Sequence, residues 1–256
     1  MLILVLLSRQ AAATWSIVAA DAGSGQVGGA VTSCVGTLDT VVVYGGVPGV
    51  GAVHAQAQLS TAGRDEAMRL LAEGVAPEQI IEEITSFDFD MSASNRQYGV
   101  VDLQGRAAAY TGATNGDWAG DRQGEVGGIA WSAQGNILTS EAVVAQTAAA
   151  FEAEGCDLAD RLMRGLEAGA SGGEGDNRCT GNGIASDSAS ITVQAADGSD
   201  VLRLTVVDTS PESAVVLLRA QFDGWREDNA CPQAEEPTDS GGEGTEATGC
   251  GCAAGG

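Results

Sequence analysis

The 256-residue chain contains no lysine: all twelve of its basic residues are arginine, and it has a single histidine, His54. Each shortage removes a chemistry. A Schiff-base lysine, a lysine general base and the lysine of a phosphate-binding P-loop are excluded outright. Any Ser-His-Asp or Cys-His scheme would rest on His54 alone, which has no acid or nucleophile beside it in sequence and reads as a packed residue. Aromatic residues make up 4% of the chain, so its core has to be built from Ala, Val, Leu and Ile. With a net charge of −23, the chain lacks the clustered cations that nucleic acid or an anionic membrane requires, and no nucleic-acid partner is expected. The apolar run Leu2 to Leu7 is too short to span a bilayer, and no longer one occurs.

What is present starts with that run. Leu2 to Leu7, then Ser8-Arg9-Gln10 and Ala11-Ala12-Ala13, read as a secretory leader over residues 1–13, cut after the small-residue run. A positive n-region is missing and Arg9 interrupts the pattern, so an ordinary N-terminal extension is the alternative. A cut after Ala13 would leave Thr14 with a free α-amine beside its hydroxyl. A hydroxyl needs a base to become a nucleophile, and an α-amine of pKa ~7.7–8.0 is neutral in roughly one molecule in ten at pH 7. Thr14 would then carry both groups. The leader implies a secreted, periplasmic or cell-surface location.

From Thr14 the pattern predicts a strand to Ala20, a turn at Asp21-Ala22-Gly23-Ser24-Gly25 and a second strand from Gln26 to Ser33. The turn also spells Gly23-x-Gly25-x-x-Gly28. A dinucleotide fingerprint must open a helix, and Gly29-Ala30-Val31-Thr32-Ser33 are poor helix formers, so a hairpin is favoured and no cofactor is expected. Further strands are predicted over 40–44 and 49–57, and helices over 64–73 and from Pro77. Two more strands follow over 98–103 and 106–111, then a Gly- and Asp-rich loop and a strand over 128–132. Helices at 140–154 and 157–168, a glycine loop at 172–176 and strands at 190–195 and 201–207 complete the order. This alternation suits an α+β domain over residues 14–226, with two antiparallel sheets packed face to face and helix pairs outside.

Residues 227–256 carry seven acids and no base, with Pro, Gly, Ser and Thr dominating, and read as a disordered spacer. The tail ends in Cys250-Gly251-Cys252, which resembles the head of a surface-sorting signal and offers a means of tethering. A Cys-x-Cys with no further ligand nearby is a poor metal site, and no metal is expected. The remaining cysteines, Cys34, Cys156, Cys179 and Cys231, allow two disulfides in an oxidising compartment and three ways to pair them. Cys156–Cys179 is favoured as the most local.

Several runs carry a resemblance. Thr14-Trp15-Ser16-Ile17-Val18-Ala19, Gly49-Val50-Gly51-Ala52-Val53 with Gln56, and a helix ending Leu70-Leu71-Ala72-Glu73-Gly74 are the first three. Tyr98-Gly99-Val100-Val101-Asp102 with Gly105-Arg106, Gln134-Gly135-Asn136-Ile137-Leu138 and Gly175-Asp176 with Arg178 follow in order. Together they resemble the DUF1028 family over residues 14–208. That family is placed among the N-terminal-nucleophile (Ntn) hydrolases, which implies a four-layer αββα sandwich and a nucleophile at Thr14. The resemblance also implies an oxyanion donor at Asn136, supported by Ser33, Asp21 and Asp176. On their own residue types, Asn136 reads equally well as a turn residue, and Asp21 and Asp176 as turn aspartates. Cys34 stands where members often have Arg, Cys179-Thr180-Gly181-Asn182 differs, and residues 209–256 have no counterpart. The expectation is a hydrolase acting on an amide bond of a small molecule or peptide. A catalytically inactive envelope, adhesion or binding module on the same fold is the alternative.

Overall fold

The structure, a computed structural model, describes residues 13–231. Small and β-branched residues of alternating direction make Thr14–Asp21 the first strand (β1), and a tight turn returns the chain as β2 (Gln26–Ser33). Asp21 builds that turn: its carboxylate accepts the Gly23 amide at 2.8 Å and the Ser24 hydroxyl at 2.6 Å. Gly25 takes φ 71°, a conformation glycine adopts without strain. The glycines of the Gly-x-Gly-x-x-Gly run thus serve a hairpin.

Strands β3 (Tyr44–Val47), β4 (Gly51–Ala57), β5 (Arg96–Asp102) and β6 (Ala107–Thr111) form one antiparallel sheet in the order β3-β4-β5-β6. A second sheet adds β7 (Trp118–Val126), β8 (Ile129–Leu138), β9 (Ser188–Gln194) and β10 (Asp200–Val206) in the order β10-β9-β2-β1-β8-β7. β1 is therefore central, paired with β2 on one side and β8 on the other.

Helices α1 (Thr61–Ala72) and α2 (Pro77–Ile84) bury Ala67, Leu71, Ile80 and Ile84 against Val53, Tyr98 and Val100 of the four-stranded sheet. Ser60 caps α1 by accepting the Gly63 amide at 3.1 Å, and Pro77 opens α2 where its missing N–H costs nothing. Helices α3 (Ala142–Glu152) and α4 (Leu158–Ala168), the latter capped by Asp157, pack Phe151, Leu162 and Leu166 into a cluster with Trp15, Ile17 and Ile191 of the six-stranded sheet. A short helix α5 (Asn177–Thr180) follows, and α6 (Ala214–Asp228) adds Leu218 and Phe222 to the same cluster. Where the sheets face each other, Val18, Ala20, Val27, Ala52, Val101 and Ala130 meet. These are short side chains, as the low aromatic content requires.

The structure departs from the sequence expectations at several places. Residues 40–43 form a 3-10 turn before β3 begins, because Asp39 accepts the Val41 amide and starts a helical turn. The Gly- and Asp-rich stretch contains β7, a half-exposed edge strand whose charged residues hide the usual alternation. Gln134-Gly135-Asn136 lies inside β8 and is not a turn. Helix α6 runs to Asp228, two residues past the expected end of the domain, and Arg226 pairs with Asp157 at 2.7 Å.

The favoured Cys156–Cys179 bridge is wrong. Cys34 joins Cys179 and Cys156 joins Cys231, with Cα atoms 5.9 and 5.5 Å apart. Spacing along the chain misleads here because α6 returns over the start of α4 and carries Cys231 to Cys156, while α5 carries Cys179 to the end of β2. Cys231 is thus tied covalently to the domain. Residues 1–12 of the expected leader and residues 232–256 of the expected tail, with Cys250-Gly251-Cys252, lie outside the described residues. Among the described residues no helix is long and apolar enough to cross a membrane.

Candidate active site at the start of the first strand

Register decides what surrounds Thr14. As the first residue of β1 it pairs directly with Ser33, the last residue of β2, and with Asn136 near the end of β8. Residues directly opposite one another project to the same side of a sheet, so three polar side chains share one spot, all buried. Thr14 Oγ1 lies 3.1 Å from Ser33 Oγ.

That side is the one facing the four-stranded sheet. Two residues along β1, the Ser16 hydroxyl donates to Gln56 Oε1 at 2.7 Å and accepts from Gln134 Nε2 at 2.6 Å. Gln56 Nε2 in turn donates to Gln97 Oε1 at 2.8 Å and to the Thr14 carbonyl at 3.3 Å. Gln97 Nε2 donates to the Gly135 carbonyl at 2.8 Å. A buried amide without partners costs ~1–3 kcal/mol, so this connected set holds both sheets and the Thr14 backbone in one arrangement.

The peptide joining Ala13 to Thr14 is held just as firmly. Its carbonyl oxygen accepts from the Ser33 hydroxyl and from Arg178 Nη2, the latter at 3.0 Å. Asp176 aims that guanidinium, accepting Nε at 3.1 Å and Nη2 at 2.8 Å in a bidentate fork. Asp176 also accepts the Cys34 amide at 2.7 Å, and it sits beside Leu138 at the end of β8. Burial pushes the Asp176 carboxyl above its ordinary range, while Arg178 and the amides of Arg178 and Cys34 pull it back down. The Cys34–Cys179 disulfide ties the loop after Ser33 to the helix after Arg178.

Of the residues singled out in sequence, Thr14, Ser33, Asn136 and Asp176 converge. Asp21 does not. It closes the far end of β1, roughly 23 Å away at ~3.3 Å per residue, and its carboxylate is occupied by its own turn. His54 is packed in the core against Tyr44, and neither ring nitrogen has a partner among the described residues. Arg178 and the glutamines Gln56, Gln97 and Gln134 were given no role in sequence. Their signal was there: a glutamine inside an otherwise apolar strand must find buried partners.

A small apolar pocket of about 30 Å³ opens beside Thr14 and Ser33. Larger depressions elsewhere, such as one of about 490 Å³ between β7 and α3, do not reach these residues. Cys34, Cys179 and Asp187 come within 4.8 Å of one another, but the sulfurs are joined in a disulfide and Asp187 accepts the Val35 and Gly36 amides. That trio offers no thiolate to a metal.

Residues 14–217 match the model of DUF1028, a family of unknown function. The chain belongs to DUF1028. Its matched span opens with β1 and closes within α6. A solved DUF1028 structure, protein SPO2555 from Silicibacter pomeroyi, shares 27% identity and superposes with a TM-score of 0.70, covering 84% of this chain and 86% of that one. No curated protein matches. The DUF1028 assignment brings no reaction with it, so the chemistry has to be argued from the residues.

Proposed function

We propose that this DUF1028 protein is a secreted or cell-surface N-terminal-nucleophile hydrolase that cleaves an amide bond with Thr14. The two facing sheets, with α1 and α2 on one and α3, α4 and α6 on the other, are read here as the four-layer αββα sandwich of that superfamily. One observation carries the reading: the carbonyl attached to the Thr14 nitrogen is gripped by the Ser33 hydroxyl and the Arg178 guanidinium. Once residues 1–13 are removed, those donors face a vacated carbonyl position next to Thr14 Oγ1. The Ala13 carbonyl then stands in for that of a substrate.

In the reaction the neutral α-amine of Thr14 takes the hydroxyl proton as Oγ1 bonds to the substrate carbonyl carbon. Negative charge developing on the carbonyl oxygen is met by Arg178, Ser33 and Asn136. The C–N bond breaks, and the α-ammonium returns its proton to the leaving amine. Water, deprotonated by the same amine, then hydrolyses the Thr14 ester and regenerates the enzyme. The two disulfides fit an oxidising, extracytoplasmic location.

The test is the terminus itself. Protein purified from its native compartment should begin at Thr14 by mass spectrometry and should be acylated there by a β-lactone. Thr14→Ala should lose the label and keep its unfolding midpoint. A mature protein beginning elsewhere, or undiminished labelling in Thr14→Ala, would make the domain a binding module on the same fold.

A further inference from the structure

The pocket beside Thr14 is walled by Val35, Leu38 and Val42 on the β2 side and by Ala57 and Leu59 at the end of β4, with Thr14 and Ser33 at its floor. We propose that it is the acyl-side subsite of the reaction and that it selects an uncharged aliphatic side chain of about one to three heavy atoms. The inference rests on Thr14 being the nucleophile. It goes further by naming the acyl group that nucleophile accepts.

Three observations bear on the occupant. None of the lining side chains is charged, and beyond Thr14 and Ser33, which face the reacting carbonyl, the polar ones are already engaged. Thr40 donates to Ser190 Oγ at 2.9 Å, and the Gln56 amide is shared among Ser16, Gln97 and the Thr14 carbonyl. A charged or hydrogen-bonding group seated between the walls, away from the two hydroxyls at the floor, would lose its water and gain no partner there. Volume sets the size. One water needs about 10–15 Å³ of such space, so about 30 Å³ admits a methyl to isopropyl group and refuses a phenyl ring.

The third observation is that the wall is held in place. The Val35 and Gly36 amides donate to Asp187 at 2.9 and 3.1 Å, Ser188 Oγ donates to the Gly36 carbonyl at 2.7 Å, and Cys34 is in the disulfide. A wall so tied cannot swing outward for a larger group. Leu38 stands at the rim, 46% exposed, where an apolar occupant would cover it.

The experiment measures second-order labelling of Thr14 in the mature full chain by β-lactones bearing methyl, isopropyl, benzyl, carboxyethyl or aminobutyl side chains. Methyl and isopropyl should react at least ten-fold faster than the other three, and Leu59→Ala should shift the benzyl-to-methyl ratio toward benzyl by about ten-fold. Labelling of Thr14 without preference, or a preference for the ring or a charged chain, overturns the pocket assignment and leaves the nucleophile standing. A companion measurement needs no chemistry: Thr14→Ala protein is titrated with isobutyramide, phenylacetamide and succinamate while the methyl resonances of Leu38 and Val42 are followed. Shifts with isobutyramide alone support the size and charge selection. If they accompany a Thr14 that no lactone labels, it is the hydrolase reading that falls. No shift with isobutyramide overturns the pocket.

Discussion

Trp15, Ile17 and Ala19 point from β1 into the apolar cluster under α3, α4 and α6, whereas Thr14 and Ser16, each one residue away, point toward the opposite sheet, where Thr14 meets Ser33 and Ser16 meets two glutamines. The two faces of one strand therefore hold the fold in different ways. On the helix side, apolar area removed from water contributes ~1.5–3 kcal/mol for each fully buried large side chain, with little dependence on direction. On the sheet side, every hydrogen bond demands a particular partner at a particular distance. The first kind of contact tolerates small shifts and the second does not. The candidate site around Thr14 lies on the second face, where the partners of each group are fixed one by one.

Three perturbations sharpen this contrast. Trp15→Ala removes the largest fully buried side chain from the helix-facing layer, along with the bond its indole donates to the Leu166 carbonyl at 3.2 Å. The expected cost is ~3–5 kcal/mol by urea unfolding, with the Thr14 labelling rate of the remaining folded protein changed by less than about three-fold. A cost under ~1 kcal/mol would mean that the outer face does not carry the stability assigned to it.

Gln97→Leu acts on the other face. It strips Gln56 of a partner and removes the donor to the Gly135 and Gly120 carbonyls, at an expected cost of ~1–3 kcal/mol. Labelling of Thr14 should fall about ten-fold, since Gln56 no longer holds the Thr14 carbonyl. Less stability lost yet more reactivity lost than in Trp15→Ala is the expected signature. The reverse order would dissolve the distinction between the faces.

The smallest effect concerns His54, which precedes Gln56 by two residues on β4 and so shares its face. Gly29 leaves room for the ring: a Cβ there would lie 2.2 Å from His54 Nε2. Burial lowers the His54 pKa from 6.5 to about 3. The unfolded chain therefore binds a proton below about pH 6.5 that the folded chain refuses until about pH 3. Stability from this group is complete above pH 6.5 and is lost as the pH falls toward 3. Between pH 6.5 and 5.5 the loss should be about 1 kcal/mol. His54→Leu should flatten that part of the pH profile relative to the parent, while carboxylate contributions stay common to both. Identical profiles would show that His54 is not the group responsible.

Much of this was legible in the residue order. Local rules placed the β1–β2 hairpin, the start of α2 at Pro77 and the break between α3 and α4, because a proline or a turn acts on its own neighbours. The opening of β1 at Thr14 was legible for the same reason, since small and β-branched residues begin there. The pattern of α6 is also present in the sequence, with Ala214, Val215, Leu218 and Phe222 on one face. β7 gave no such signal, since half-exposed edge strands alternate weakly. Asp21 was misjudged because an aspartate at a strand end looks alike whether it closes a turn or serves a site.

What the sequence by itself determined is the inventory: a lone unsupported histidine, no lysine, a threonine positioned to open a strand, and strands and helices in nearly their observed order. Only the tertiary structure decided that Thr14, Ser33, Gln56, Asn136 and Arg178 meet, that Asp21 stays away, and that Cys34 bonds to Cys179. Those outcomes depend on strand register and on how two sheets face each other, which are set by contacts between segments tens to more than a hundred residues apart. Local propensity acts over a few residues and carries no information about which distant partner a side chain will find.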